Sequence, residues 1–446
     1  MMDYLSVINN PNKNAEERLE SLRNWQKTNN NNNLTREKSE VNNHIHTIYS
    51  FSPYTPAMAA LQAFNCGLSA AGSVDHDSIA AARELLEACA ILGIGGCVGF
   101  EVRVSFNNFT DKKINNPDSQ GLVYMTVQGI PKPSIDKAAD FLKPIREQRL
   151  NRTKLMTVSA NVILKEAGFN EIDFENDIIN QSKYKEGGGI TERHLLAAAA
   201  RKIIDKFGKG KQLIEGIKNK MGITIQPRLV VLLSDPENPH YLFDLLGVLK
   251  TEFLPGIFIQ PDNNECIPAV DVTSFADSIG AIPAYAYLGD VGESPTGDKK
   301  AEKFEDDFIE ELFTELSRLN YKAVTYMPPR NTIKQLQNVQ KLCRDYSFME
   351  ISGVDINNSR QSFNCKEVMK DEFRHLLDTT WALIAHERLA GIDKRFGLFS
   401  KGNPLESLEL NKRLNAYAVF GKKLNLYSPD ESAYEIAQEI QKGRLI

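Results

Sequence analysis

The sequence predicts an α/β fold, a seven-stranded barrel interrupted by a mainly helical inserted domain. Two stretches, residues 41–133 and 271–400, contain short apolar strands alternating with amphipathic helices. Alternation of this kind builds a parallel sheet or barrel. Between them, over 134–270, the pattern is mostly helical. Four strands before the helical block and three after it make seven, so one discontinuous domain is expected to wrap around a second.

The elements follow in chain order. Residues 1–40 carry a charged helical piece, "AEERLESLRNWQK", and the run "TNNNNNL", which read as an N-terminal extension and linker. "VNNHIHT" is the first strand, and "TPAMAALQAFNCG" a helix stopped by Gly67. "LSAAGSVDH" is the second strand. The helix "DSIAAARELLEACAILG" follows it, with Asp77 or Ser78 as the expected N-cap. "IGGCVGFEVRV" and "GLVYMTVQGI" complete the first half. The helical block contains the basic "KPIREQRLNRTKLM" and "GGGITERHLLAAAARKIIDKFG". Three helix–strand units then close the barrel: "SFADSIGAIPAYAYLGD", "DFIEELFTELSRLNYKAVTYMPP" and "NTIKQLQNVQKLCRDYSFMEISGVD". Residues 401–446 read as a C-terminal helical extension.

Composition bounds the function. The 446 residues are 42% hydrophobic and 25% charged, as in a globular protein. A net charge of −5 leaves no global basic field for long nucleic acid, though a local basic groove remains open. No run approaches 18 apolar residues, so no membrane span is expected. The first residues lack a basic segment followed by an apolar one, and the six cysteines form no CxxC pair. A cytoplasmic protein is therefore expected.

Chemistry should gather at the C-terminal ends of barrel strands. The polar residues there are His44 and His46, Asp75 and His76, Glu101, and Asp355. Residues i and i+2 of a strand share a face, so His44 and His46 converge. Imidazole with carboxylate, from strands far apart in sequence, is what a Zn, Mn or Fe site needs. Each signal alone has a bland account: an HxH pair arises by chance, Asp77 caps a helix, and Glu101 is a solvated strand end. The same position repeated on four strands favours the metal.

These residues resemble the PHP family, the polymerase and histidinol phosphatase domains. "HIHTIYS…TP…A…G", then "DHDSIAAARELLEACAILGI" and "GFEVRV", follow its opening order. "GAIPAYAYLG", "AVTYMPPRNT" and "FMEISGVDIN" are similar to its later strands. The resemblance covers roughly residues 42–360. It implies a distorted barrel that hydrolyses phosphoesters with bound metals, His44, His46, Glu101 and Asp355 holding one and His76 standing nearby. "REQRLNRTKLM" and "ITERHLLAAA" resemble the helical insertion of the nucleotide-phosphatase and exoribonuclease branch. There an Arg-Pro-His helix start meets substrate phosphate. A phosphorylated small molecule or a short nucleic acid is the implied partner, with Asp75, His76, Arg193 and His194 as the expected catalytic groups.

Departures from the family pattern lower the expected metal count. Phe51 stands where an Asp or His ligand is usual, Tyr124 or Met125 replaces a histidine, and Tyr287 and Asn357 replace two more. Glu192, with Arg193 beside it, occupies the insert's arginine position. One divalent metal is expected to be firmly held, and a second at most partly, with His194 or His386 as substitute ligands. Arg149, Arg152, Lys299 and Lys300 could meet phosphate, although a charged helix face is usually just solvated. The competing reading is a degenerate member that binds metal or nucleotide without turnover.

Overall fold

In the computed structural model, residues 4–29, 39–291 and 303–442 are described. Seven strands form one sheet in sequence order: β1 (Glu40–Ile45), β2 (Leu68–His76), β3 (Gly95–Ser105), β4 (Leu122–Gln128), β5 (Ile282–Ala286), β6 (Ala323–Tyr326) and β7 (Met349–Ser352). The sheet curls until its ends nearly meet. Beyond β7, Ile356 bridges back to Ile45: His46 N–H donates to Ile356 O at 2.9 Å, and Ile356 N–H to His44 O at 3.0 Å. The fold is the expected α/β class, a nearly closed seven-stranded barrel with helical additions.

Two short helices, α1 (Tyr4–Ile8) and α2 (Ala15–Asn29), precede the barrel. They are not a detached extension. Ile8, Leu19 and Leu22 are buried in the barrel's apolar core. Buried Arg18 donates from Nε (2.8 Å) and Nη2 (2.6 Å) to the two carboxylate oxygens of Glu84. The Asn-rich segment 30–38 lies outside the described residues.

Helices α3 (Pro56–Asn65) and α4 (Ala82–Leu92) make the first two crossovers, and β1, β2 and β3 run parallel. The all-parallel expectation fails at β4, which is antiparallel to both β3 and β5. A parallel return needs a crossover, usually a helix. Residues 106–121 contain none, and Phe106 N–H bonds Gly121 O at 2.9 Å, so the chain doubles back. The α4 start also differs from expectation. Asp77 adopts a left-handed φ of 52° and takes an arginine on its carboxylate, while Ser78 Oγ donates to Gly187 O at 2.8 Å. Neither caps the helix.

Helices α5 (Ile135–Glu166), α6 (Glu192–Phe207), α7 (Lys211–Met221), α8 (Pro227–Leu233) and α9 (Tyr241–Glu252) fill the stretch after β4. Their apolar faces form a cluster of their own, including Met156, Leu195, Leu196, Leu245 and Leu249. The chain returns through α10 (Ala269–Ile279) to β5, then through α11 (Ile309–Arg318) to β6 and α12 (Ile333–Asp345) to β7. Finally α13 (His375–Ile392), α14 (Leu410–Lys423) and α15 (Pro429–Gln441) pack under the barrel. Ala382, Leu383 and Ile384 share a cluster with Val41, Ala70, Ile282, Ala323 and Met349, residues at the starts of the strands. The bottom is therefore plugged, leaving the opposite end as the mouth. Among the described residues no helix is long and apolar enough to cross a membrane.

Candidate metal centre

The mouth collects side chains from β1, β2, β3 and the loop after β7. His44 ends β1 with Ile45, and His46 follows one residue beyond. Gly353 lets the chain leaving β7 pass close to β1: a Cβ there would lie 2.5 Å from that of His44. Asp355 thereby reaches His46, with 3.4 Å between its Oδ1 and His46 Nε2. Glu101, in the middle of β3, faces three imidazoles. Its Oε1 lies 3.8 Å from His44 Nε2, and its Oε2 lies 3.8 Å from His46 Nε2 and 2.8 Å from His76 Nδ1.

His44, His46 and Glu101 each offer a ligand atom, all within 4.8 Å of one another, and all three residues are buried. This is the one such group among the described residues. His46 shows why the set fits a cation. Thr47 N–H and Oγ1 each donate to Asp75 at 2.6 Å, and Ser50 Oγ donates to Asp75 Oδ1. With its only proton committed to Asp75, Ser50 must accept from His46 Nδ1, 3.2 Å away. The lone pair of His46 is therefore on Nε2, which is buried and has no hydrogen-bond partner. An orphaned buried acceptor is costly unless a ligand fills the gap.

The electrostatics agree. Burial, then the neighbouring His76 and His44, hold the His46 pKa well below the usual imidazole range, so the ring is neutral. Burial would raise the Glu101 carboxyl, but His76 and then His44 and Arg149 bring it below the ordinary value. A neutral imidazole and an ionised carboxylate are the ligand forms a metal requires.

Asp75 is placed differently from the role expected for it. Both its oxygens are occupied by Thr47 and Ser50, so it orients His46 through Ser50 rather than facing the mouth. A partner that fixes a ligand's tautomer in this way is a recurring feature of metal sites. Asn357 likewise steadies a candidate ligand: its Nδ2 lies 2.7 Å from each oxygen of Asp355. The Tyr287 hydroxyl donates to Asp306 at 2.6 Å, and burial followed by Asp306 pushes its pKa far up, leaving a protonated phenol.

The insertion meets the mouth through the start of α6. Gly189 N–H donates to Tyr49 O at 2.8 Å, and a Cβ on Gly189 would lie 2.6 Å from His76 O. The triple glycine of "GGGITERHLL" thus permits a backbone approach that any side chain would block. The substitute-ligand expectation for His194 does not hold. Its Nδ1 accepts from Thr191 N–H at 3.0 Å, within a capping box. Burial, with Arg149 and Arg193 nearby, lowers its pKa to about 3. The ring is neutral with its proton on Nε2, a donor and not a ligand. His386 is further still from that role. It lies in α13 beneath the barrel, accepting from Leu398 N–H at 2.9 Å, and burial lowers its pKa to about 4.

Arg149 and Arg152 are not a solvated face, nor free to meet phosphate. Both are buried in a closed network of three arginines and three carboxylates. Arg149 pairs with Asp77 (2.6 Å) and Glu192 (2.7 Å). Arg152 pairs with Glu192 and with Glu265 (2.6 Å). Arg103 reaches Glu192 (3.4 Å) and also Glu265. Against the burial of Glu192, Arg149, Arg103 and Arg152 hold its carboxyl well below the usual range. Arg193 is the exception among these cations. It makes no hydrogen bond or ion pair among the described residues. Its guanidinium lies over the rings of Phe51 (5.4 Å) and Phe243 (5.9 Å). Burial lowers its pKa to about 10, with Asp355 acting the other way. Lys299 and Lys300 lie outside the described residues.

No family model and no curated protein matches the chain. Solved structures similar to it include an amidohydrolase from Chromobacterium violaceum with bound sulfate and no metal. That comparison gives 18% identity and a TM-score of 0.47, covering 73% of this chain and 90% of that one. A Bifidobacterium adolescentis protein, provisionally described as a metal-dependent phosphoesterase, gives 16% identity and a TM-score of 0.47, covering 76% and 96%. Likeness at this level decides nothing about chemistry.

Proposed function

We propose that this protein is a phosphoesterase that works with one firmly held divalent cation, Zn, Mn or Fe. The observation that carries the reading is the buried His46 Nε2, its lone pair unpartnered beside His44, Glu101 and Asp355. His44, His46 and Glu101 would hold the cation, and Asp355, steadied by Asn357, would complete the set. When bound, such a cation lowers the pKa of water and polarises a phosphoryl oxygen. The residues around it supply the rest. His76, fixed on Glu101 through Nδ1, keeps its Nε2 for a proton or a second cation. Arg193 offers a phosphate a guanidinium fork that no carboxylate among the described residues engages. His194 carries a proton on Nε2 and stays neutral, which suits it to donate to a phosphoryl oxygen and not to act as a strong acid.

A phosphorylated small molecule or a short nucleic acid would be the substrate. The test is hydrolysis of an aryl phosphate by the purified protein with and without chelator. Activity that is lost on chelation and restored by Mn²⁺ or Zn²⁺ supports the reading. A metal-replete protein without turnover on phosphate mono- or diesters would return it to a binding role. Arg193→Ala should raise the Michaelis constant and leave the metal content unchanged.

A further inference from the structure

Phe51 has φ 69° and ψ 66°, one of four described non-glycine residues with positive φ. A residue with a Cβ enters this left-handed region only against a steric penalty, which glycine escapes. Such outliers persist where the surrounding structure, or the function, requires the side chain. The Phe51 ring contacts three groups. It meets His194 edge-on, with 4.9 Å between ring centroids, and Phe243 at 6.0 Å. The Arg193 guanidinium lies 5.4 Å from its centroid. Arg193 and His194 stand in the first turn of α6, just after the glycines whose backbone packs on Tyr49 O and His76 O at the mouth.

We propose that Phe51 is a positioning residue whose ring, placed by the left-handed backbone, holds Arg193 and His194 towards the mouth to receive a substrate oxyanion. Carboxylates would also hold an arginine, but they would neutralise it. A π face orients the guanidinium while leaving its donors and charge available. Phe51 and Phe243 form two sides of such a seat, and α6 supplies the arginine. Glycine at residue 51 would relieve the backbone and lose the platform. The inference rests on the reading of Arg193 as an anion-binding group.

The experiment measures binding of inorganic phosphate by calorimetry to the full-length protein in Mn²⁺, alongside the Michaelis constant for an aryl phosphate. Phe51→Leu keeps apolar bulk without a π face, and Phe51→Tyr keeps the face. Phe51→Leu is expected to weaken phosphate binding about three- to tenfold, the range of a partly desolvated cation–π contact. Phe51→Tyr should match the unaltered protein, and metal content should be constant throughout. Phe51→Gly should bind phosphate as poorly as Phe51→Leu despite its relaxed backbone. Equal affinity in Phe51→Leu and the unaltered protein, with Arg193→Ala impaired, would overturn the platform alone. So would equal impairment of Phe51→Leu and Phe51→Tyr, which would mean that the π face kept in the tyrosine variant does not hold the arginine. Unchanged phosphate binding in Arg193→Ala would instead remove the reading on which the inference rests.

Discussion

Two neighbouring clusters of buried charge differ in one respect. The network of Asp77, Arg103, Arg149, Arg152, Glu192 and Glu265 has three cations and three anions, each meeting a partner. The mouth cluster of His44, His46, His76, Glu101, Asp355 and Arg193 has an orphaned imidazole nitrogen and an arginine without a carboxylate partner among the described residues. Both carry the desolvation cost of buried ionisable groups. In the first, ion pairs meet most of that cost, although Arg149 Nε is buried without a hydrogen-bond partner, and the result ties β3, α5 and the start of α6 together. In the second it is not: His46 Nε2 and Arg193 are left without a hydrogen-bond partner among the described residues, the gap that the proposed cation and oxyanion would fill. Charge balance, not the density of charge, separates the two: every carboxylate of the network faces an arginine, whereas Arg193 faces no carboxylate among the described residues.

The largest expected effect follows from opening the site further. His44→Ala and Asp355→Ala should each abolish tight cation binding while leaving a folded protein, as read by elemental analysis and circular dichroism. Full metal content in either variant would break the assignment. The closed network predicts the opposite pattern. Glu265→Ala leaves Arg103 and Arg152 to share Glu192 alone, and removing one partner of a buried pair costs roughly 3–5 kcal/mol. Urea unfolding should show that loss while metal content per folded molecule is unchanged. A third variant acts at one remove from the cation. Ser50→Ala frees the His46 tautomer from Asp75, and loss of such support typically weakens metal affinity about 10- to 100-fold. Competition with a chelator would measure it, and an unchanged affinity would deny Ser50 and Asp75 their orienting role.

Much of the barrel was legible because strand and helix periods are written locally. "DSIAAARELLEACAILG" announces its helix wherever it folds, even though α4 begins later than its caps suggest. The antiparallel β4 was not seen, although the lack of any helical pattern in "FNNFTDKKINNPDSQG" was the available signal. The converging strand ends were legible too: His44, His46, His76, Glu101 and Asp355 do meet. Pairing across long separations was not. Nothing local distinguishes Arg149, which meets Asp77 72 residues away, from Arg193, which meets no carboxylate among the described residues. Residues 15–29 looked like a charged appendage because the partner of Arg18, Glu84, is 66 residues distant. The tautomer of His46 depends on Ser50 and Asp75, and only their spatial relation reveals it.

Glu305 lies between the two extremes and gives the smallest expected effect. Its Oε1 accepts from the Tyr285 hydroxyl and from Leu288 N–H, each at 2.8 Å, whereas its buried Oε2 has no partner. No cation among the described residues pairs with it, and burial lifts its pKa to about 7. Here a proton can close the gap that an arginine closes in the network. The sign follows from linkage. An unfolded glutamate titrates near 4.5, so between that pH and about 7 the folded state holds the extra proton. Stability from this group is complete below the unfolded value and is lost as pH rises through the folded one. Glu305→Gln should therefore reduce the fall in melting temperature between pH 5 and 8, with a pH-dependent difference on the order of 1 kcal/mol. Parallel curves for the variant and the unaltered protein would show that Glu305 stays ionised, held by its two hydrogen bonds, and belongs with the closed network after all.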